Sequence, residues 1–133
     1  MSGPPIGYMY KSIIPIIAAT GWISLSEFFR NEVLVKSLWV AHYRALGLTF
    51  PDAPINGAVW GVWSLAFATF VYLISKKYDA RRATLVAWFA AFPLMWISLG
   101  DLGILPLATL WAAVPLSLLE TFVAVLIIKK LLS

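Results

Sequence analysis

Hydrophobic residues fall into four long runs, at 13–29, 55–75, 83–99 and 105–128. A helix needs about 20 apolar residues to cross a bilayer, with a usual range of about 17–25, so each run is long enough. Pro15, Pro93 and Pro115 lie inside these runs, and membrane helices tolerate proline because neighbouring helices can satisfy the freed carbonyls. The pattern predicts an all-α, polytopic membrane protein whose residues 1–133 form a single domain of four transmembrane helices.

The segment between the first two runs has a different pattern. Its sequence, EVLVKSLWVAHYRALGLTFPDAP, interleaves apolar residues with Lys36, His42, Tyr43 and Arg44. It is too short and too charged to span a membrane, so it predicts an amphipathic helix that lies in the outer interface and ends at Gly47. Such a helix can simply cap the bundle, or it can act as a lid over a ligand site.

Composition agrees with a membrane protein. The chain is 62% hydrophobic and 12% charged, with a mean hydropathy of +0.88, whereas soluble domains have about 25% charged residues. Cysteine is absent and His42 is the only histidine, which excludes disulfides, thiolate metal sites and a bis-histidine haem within one chain. No catalytic triad pattern, HExxH or glycine-rich phosphate loop occurs. We therefore expect no metal and no cofactor, and the case for an enzyme is weak.

Basic residues indicate the orientation. Three lie on one side of the predicted bundle, and seven lie on the other: Lys11, Lys76, Lys77, Arg81, Arg82, Lys129 and Lys130. By the positive-inside rule, the side with seven basic residues faces the cytoplasm, and both termini lie on that side. We expect the protein to be in the inner membrane of the cell. The expected partners of these bases are anionic lipids of the bilayer, not nucleic acid.

Two phrases occur twice, which predicts an internal repeat. WISLSE at 22–27 matches WISLGD at 96–101, and ATFVYLISKK at 68–77 matches ETFVAVLIIKK at 120–130. The chain is then two tandem helical hairpins, in which Glu27 corresponds to Asp101 and Glu120 to Ala68. Because hydrophobic sequence uses few residue types, chance similarity is the competing explanation.

Small and polar residues form one stripe on each predicted helix, which is typical of helix contacts in lipid. Within the stripes, Glu120 is predicted to lie far from either end of its span, where a charge costs at least about 2.5–3.5 kcal/mol. We therefore expect Glu120 to be mostly neutral and to face the bundle interior. The candidate proton- or ligand-binding residues are Thr20, Ser24, Glu27, Tyr72, Ser98, Asp101, Ser117 and Glu120. Structural alternatives are helix packing for the small residues, interfacial ion pairs with Arg30 or Arg44 for Glu27 and Asp101, and a hydrogen-bonded buried acid for Glu120.

Tryptophans are the remaining candidates. Trp39, Trp60 and Trp111 lie near the ends of predicted spans, where aromatic residues concentrate. Trp22, Trp63, Trp88 and Trp96 lie deeper, and we predict that Trp22, Trp63 and Trp96 line a pocket unless they only pack.

The run FFRNEVLVKS, followed by LGLTFPDAPINGAVWGVWSL, resembles short bacterial membrane proteins with four spans and no assigned activity. The resemblance covers 13–130 and implies the four-span fold but no site. Three functions fit the sequence. The first is binding or translocation of a proton, cation or amphipathic small molecule through an acidic bundle interior, by a homo-oligomer. The others are an accessory subunit that docks another membrane protein, and an intramembrane enzyme acting on a lipid or isoprenoid.

Overall fold

Four long apolar helices form the protein, as the hydrophobic pattern predicts. The structure is a computed structural model that describes residues 6–133, and within this range it is helical with no strand. The segments long and apolar enough to cross a membrane are Tyr10–Leu34, Pro54–Lys77, Ala80–Asp101 and Leu107–Leu132. The prediction that the N-terminus is cytoplasmic concerns residues 1–5, which lie outside the described residues.

The largest differences between the observed elements and the predicted spans are in the first and third spans. The helices are α1 (Ile6–Phe28), α2 (Lys36–Ala45), α3 (Pro54–Lys77), α4 (Ala80–Ala91), α5 (Pro93–Asp101) and α6 (Leu110–Leu132). A π-helical turn, Phe29–Leu34, extends the first span beyond its predicted end. The third span is two helices, because it breaks at Phe92 (φ −110°, ψ −66°) and Pro93 cannot donate a backbone hydrogen bond.

Local sequence explains where the helices begin and end. Asp79 caps α4 by accepting a hydrogen bond from the Arg82 backbone nitrogen at 2.8 Å, as N-cap acids commonly do. Gly47 and Gly103 follow α2 and α5 with φ of 74° and 75°, a conformation that glycine adopts without steric cost. The turns on both sides of the bundle are therefore set by residues that favour them.

Small residues bring the helices together. α1 packs against α3 and α6, α4 packs against α3 and α6, and α3 also contacts α6. The contacts are centred on alanines that are completely buried: Ala19, Ala68, Ala83, Ala87 and Ala124. Small side chains let membrane helices approach closely. Ala68, Ala87 and Ala124 belong to the predicted stripes, which therefore act as packing surfaces in this part of the second, third and fourth spans.

Candidate functional site

The end of the first span carries a buried ion pair. Arg30 Nη2 lies 2.6 Å from Glu27 Oε1, and each residue is only 5% exposed. Asn31 Nδ2 donates to Glu27 Oε2 at 3.0 Å and to the Glu27 carbonyl at 3.2 Å. Both partners of Glu27 lie in the π-helical turn, which the Val35 nitrogen closes by donating to the Arg30 carbonyl at 2.9 Å. The wide turn places a guanidinium inside the bundle, and such turns are common at functional sites.

Glu120 joins this pair from the last helix. Its side chain is completely buried, and Arg30 Nη1 lies 3.4 Å from its Oε1. Trp22 Nε1 donates to the Glu120 backbone carbonyl at 2.9 Å, which fixes α1 against α6 at this level. Glu120 Oε2 is buried and has no hydrogen-bond partner among the described residues. The prediction that Glu120 faces the bundle interior is therefore correct for its position, and its neutral state remains a prediction.

An aromatic ring covers the guanidinium. The Arg30 Cζ atom lies 5.6 Å from the centre of the Phe92 ring, a distance at which cation and ring attract. Phe92 is 1% exposed and is held by ring contacts with Trp63, Phe67 and Trp96, at centroid distances of 5.8, 5.5 and 6.0 Å. The break between α4 and α5 is therefore at Phe92, the residue whose ring contacts Arg30.

The cluster contains more acidic groups than basic ones. Arg30 carries one positive charge, whereas Glu27 and Glu120 are two carboxyls. If both carboxyls ionise, a buried site has one uncompensated negative charge, which is costly in a medium of low dielectric constant. A proton or a cationic ligand would restore neutrality, so the composition of the cluster favours binding of one or the other.

A cavity of about 910 Å³ lies above the cluster and is called the vestibule here. Its base includes Glu27 and Arg30, and it is bounded by the end of the first span, the start of α3, α5 and the start of α6. Its size is within the range of about 300–1,000 Å³ typical of small-molecule sites. The aromatic residues that line it are Phe28, Trp39, Tyr43, Phe50, Trp60, Phe92 and Trp96, and the other polar ones include Ser24, Asn31, Glu32, Asp52, Asn56, Ser64 and Thr109.

The helix α2 and the loop that follows it, residues 36–53, form one wall of the vestibule and are called the α2 segment here. Trp39, Tyr43 and Phe50 contact one another at ring-centre distances of 5.3–6.4 Å. Lys36 joins the start of α2 to the π-helical turn and to the loop before α3, since its Nζ lies 2.9 Å from Glu32 and 3.2 Å from Asp52. The hydrogen bonds with Glu32 and then Asp52 raise the pKa of Lys36 above its ordinary value of 10.5, because both partners stabilise the charged form.

A second contact holds α2 to the loop after α5. His42 Nε2 lies 2.7 Å from the Gly103 carbonyl oxygen, and it donates when that nitrogen carries the proton. Together with Lys36, this contact attaches both ends of α2 to the rest of the bundle.

Asp101 and Ser98 do not join the cluster. Both are exposed, and Ser98 donates only to the Leu94 carbonyl of its own helix at 3.2 Å. Beyond the break at Phe92, residues such as Met95 and Trp96 pack towards the core instead of the predicted stripe. Asp101 was predicted as a candidate ligand-binding residue, but it does not line the vestibule, because the kinked third span turns its polar face outwards.

The other predicted residues have separate places. Thr20 donates to the Ile16 carbonyl of its own helix at 2.7 Å, whereas Tyr72 shares a hydrogen bond with Ser12 at 2.9 Å that joins α3 to α1. Ser117 is buried and accepts a hydrogen bond from Trp88 Nε1 at 2.9 Å. Ser24 lines the vestibule.

Of the predicted pocket tryptophans, Trp96 lines the vestibule, Trp22 lines a smaller groove, and Trp63 packs against Phe67 and Phe92. Gly57 and Gly61, a GxxxG pair typical of helix contacts, instead line the vestibule. No heavy atom lies within 4 Å of where a Cβ would be on either glycine. Their small size therefore contributes space to the cavity.

Arg30 and Phe92 are the functional candidates that the sequence reasoning missed. The sequence indicates Arg30 only as an interfacial ion-pair partner of Glu27 or Asp101. The available signal was its i,i+3 spacing from Glu27 at the end of an apolar run, a spacing that puts two side chains on one helix face. No local signal connects Arg30 with Glu120 or Phe92, which lie far away in sequence.

The described residues thus define a class: an all-helical bundle of four apolar helices, each long enough to cross a membrane, with a buried arginine–carboxylate cluster below a cavity. No family model, curated protein or solved structure matches the chain. The functional conclusion therefore depends on the site itself.

Proposed function

We propose that this protein is a small multi-pass membrane protein that binds a cationic amphipathic molecule in the vestibule, with the positive group of the ligand beside Glu27. The observation that carries the proposal is the excess of carboxyls over cations at an aromatic cavity. Glu27, Glu32 and Asp52 line the vestibule, and Arg30 is the cation among its lining residues. The ion-pair network that also includes Glu120 and Lys36 holds four carboxyls and two cations.

The aromatic lining supports an organic cation. Trp39, Tyr43 and Phe50 form a contiguous group in the wall of the vestibule, and aromatic faces attract cations by about 0.5–2 kcal/mol per contact. Among residues 6–133, no group of three or more His, Asp or Glu side chains is placed to hold a metal ion. An amphipathic ligand with an aromatic or aliphatic body would fill the apolar part of the cavity and leave its cationic end near the acids.

The bundle is closely packed on the side of the cluster away from the vestibule, which favours binding of the ligand over its transport through the protein. The helices there meet through completely buried alanines such as Ala19, Ala87 and Ala124. Lys129 Nζ, near the end of α6, donates to the carbonyls of Ser75 and Tyr78 at 2.9 and 2.8 Å. Translocation would therefore require the bundle to open on that side, with a proton or the ligand neutralising Glu120 during the change.

The proposal includes a membrane arrangement. Both termini and the Lys76–Arg82 loop are placed in the cytoplasm of an inner membrane, and the α2 segment lies at the outer interface over the vestibule. The packing of α1 on α3 and of α4 on α6 supports two tandem hairpins. The repeat itself stays a prediction, and the different burial of Glu27 and Asp101 weakens it. Assembly as a homo-oligomer or with another membrane protein is part of the same hypothesis.

The test uses tetraphenylphosphonium as the cationic probe and neutral tetraphenylmethane as its isostere, with the purified protein in nanodiscs. We expect the phosphonium to bind more tightly than the neutral compound, and Glu27→Gln to weaken it about tenfold or more, because the carboxylate next to the cation is lost. Asp101→Asn is the matched control, since this acid follows the same sequence phrase but is exposed. Equal affinities for the two probes, or equal losses in the two variants, would overturn the proposal.

A further inference from the structure

We propose that a groove between α1 and α6 is a second binding site, separate from the vestibule, which takes the neutral hydroxyl headgroup of a membrane lipid. The groove has a volume of about 240 Å³ and is lined by Trp22, Ser26, Arg30, Leu116 and Glu120, with an outer rim of Leu25, Phe29 and Leu119. The rim residues are 70, 56 and 52% exposed, so the groove opens on the surface that the bilayer would cover.

A buried acceptor without a partner points to a ligand. Glu120 lines the groove, is 0% exposed, and its Oε2 has no hydrogen-bond partner among the described residues. A buried oxygen without a hydrogen bond destabilises a fold by roughly 1–3 kcal/mol, and lipid tails have no group that can donate a hydrogen bond to it. A polar group that enters from the lipid side would remove this cost.

The neighbouring groups favour a hydroxyl over other polar groups. A hydroxyl both donates and accepts, so it can pair with Oε2 whether the Glu120 carboxyl is ionised or protonated. Arg30 also lines the groove, and its guanidinium has five N–H groups, of which the two ion-pair contacts use only part. A hydroxyl could donate to Glu120 and accept from Arg30 at the same time. A neutral hydroxyl also adds no charge beside either group, whereas an anionic headgroup would meet the Glu120 carboxyl.

Size restricts the site to a headgroup. A volume of about 240 Å³ is below the range of roughly 300–1,000 Å³ typical of sites for drug-sized ligands, so the groove can hold a small headgroup but not a whole lipid. The acyl chain would then lie over Leu25, Phe29 and Leu119, in the bilayer. Arg30 thus lines two cavities, with the vestibule and Glu27 on one side and the groove and Glu120 on the other.

The test is photo-crosslinking in nanodiscs with a monoacylglycerol that carries a diazirine near its headgroup, compared with the methyl ester of the same fatty acid. We expect adducts on the groove residues to be about fivefold or more abundant for the monoacylglycerol, the effect of one hydrogen bond to a buried group. Leu119→Trp should fill the groove and remove this preference. Leu126→Trp is the matched control, because Leu126 is an exposed leucine of the same helix outside the groove.

Equal labelling by the two probes in the wild-type protein would overturn the proposal without any variant, and so would adducts spread evenly over the lipid-facing surface. Evenly spread adducts would mean that water, and not a lipid headgroup, forms the hydrogen bond with Glu120 Oε2. Retained preference in Leu119→Trp would also refute the site. These outcomes are independent of phosphonium binding in the vestibule, so either proposal can fail alone.

Discussion

At the scale of single residues, Arg30 holds the two carboxyls of the cluster together. It is buried between Glu27 and Glu120, and the ring of Phe92 covers it. Buried ion pairs contribute little net stability, because desolvation of the charges opposes their attraction, but removal of one partner leaves the other charge uncompensated. The structural importance of Arg30 therefore comes from the two acids that it neutralises in part.

Arg30→Met is expected to lower the free energy of unfolding by about 3 kcal/mol, since two buried carboxyls lose their only cation. Glu120→Gln in the wild-type background should have a much smaller effect, because Glu27 and Arg30 remain paired. The double variant Arg30→Met, Glu120→Gln should recover part of the loss, since the two residues interact. Unfolding in mixed micelles measures all three variants. Arg44→Met, which removes an exposed arginine, is the control, and an equal effect of Arg30→Met and Arg44→Met would contradict this account.

At the scale of elements, two helix irregularities act on the same site. The π-helical turn Phe29–Leu34 carries Arg30, and the break at Phe92 presents the ring that covers it. Irregular backbone at membrane depth is tolerated only where it is buried in protein or lines a cavity, and both segments contribute residues to the vestibule. The α2 segment forms the remaining wall and is held by a few polar contacts, so we expect it to be the part that moves when a ligand enters.

Lys36→Met should loosen this wall. The loss of the contacts with Glu32 and Asp52 is expected to speed amide hydrogen exchange in α2 by up to about fivefold, a small factor because the pairs are solvent-accessible and screened. Hydrogen-exchange mass spectrometry measures it, with Arg44→Met on the same helix as the control. Because the pKa of Lys36 is raised, its charge and the contacts should persist from neutral pH to above its ordinary value of 10.5 and disappear only as pH passes the raised value. Unchanged exchange in Lys36→Met would show that the other contacts alone hold α2.

At the scale of the whole molecule, the bundle has two different ends. The vestibule is at the end where the first span finishes and α3 begins, whereas the opposite end is packed through alanines and closed by Lys129. In the orientation that we propose from the positive-inside rule, the closed end faces the cytoplasm. A ligand would then enter from outside the cell or from the outer leaflet.

The orientation can be tested with single cysteines, because the chain has none of its own. Thr49→Cys, near the vestibule, should react with a membrane-impermeant maleimide in intact cells. Tyr78→Cys, at the closed end, should react only after the cells are permeabilised. Both positions are exposed, so accessibility within the protein does not decide the result. Labelling of Tyr78→Cys in intact cells would reverse the proposed topology and the direction of ligand entry.

Local patterns in the sequence were enough to predict the four long helices. Four apolar runs determined the four long helices, since length and hydropathy are properties of each segment alone. The polar stripe on the last span also determined that Glu120 faces inwards, because helical periodicity fixes which residues share a face. The same reasoning failed for Asp101 and Ser98, because the break before Pro93 changes which face of the third span meets the bundle.

Only the tertiary structure decided what meets Glu120. Arg30, Phe92 and Glu120 are far apart in the chain, and their contacts depend on the relative depth and rotation of three separate spans. Helix periodicity fixes the direction of a side chain but not the neighbour that it reaches, since packing sets the vertical alignment of the helices. The vestibule arises in the same way, because its volume is the space left between four helix ends and the α2 segment, to which Gly57 and Gly61 contribute by having no side chain.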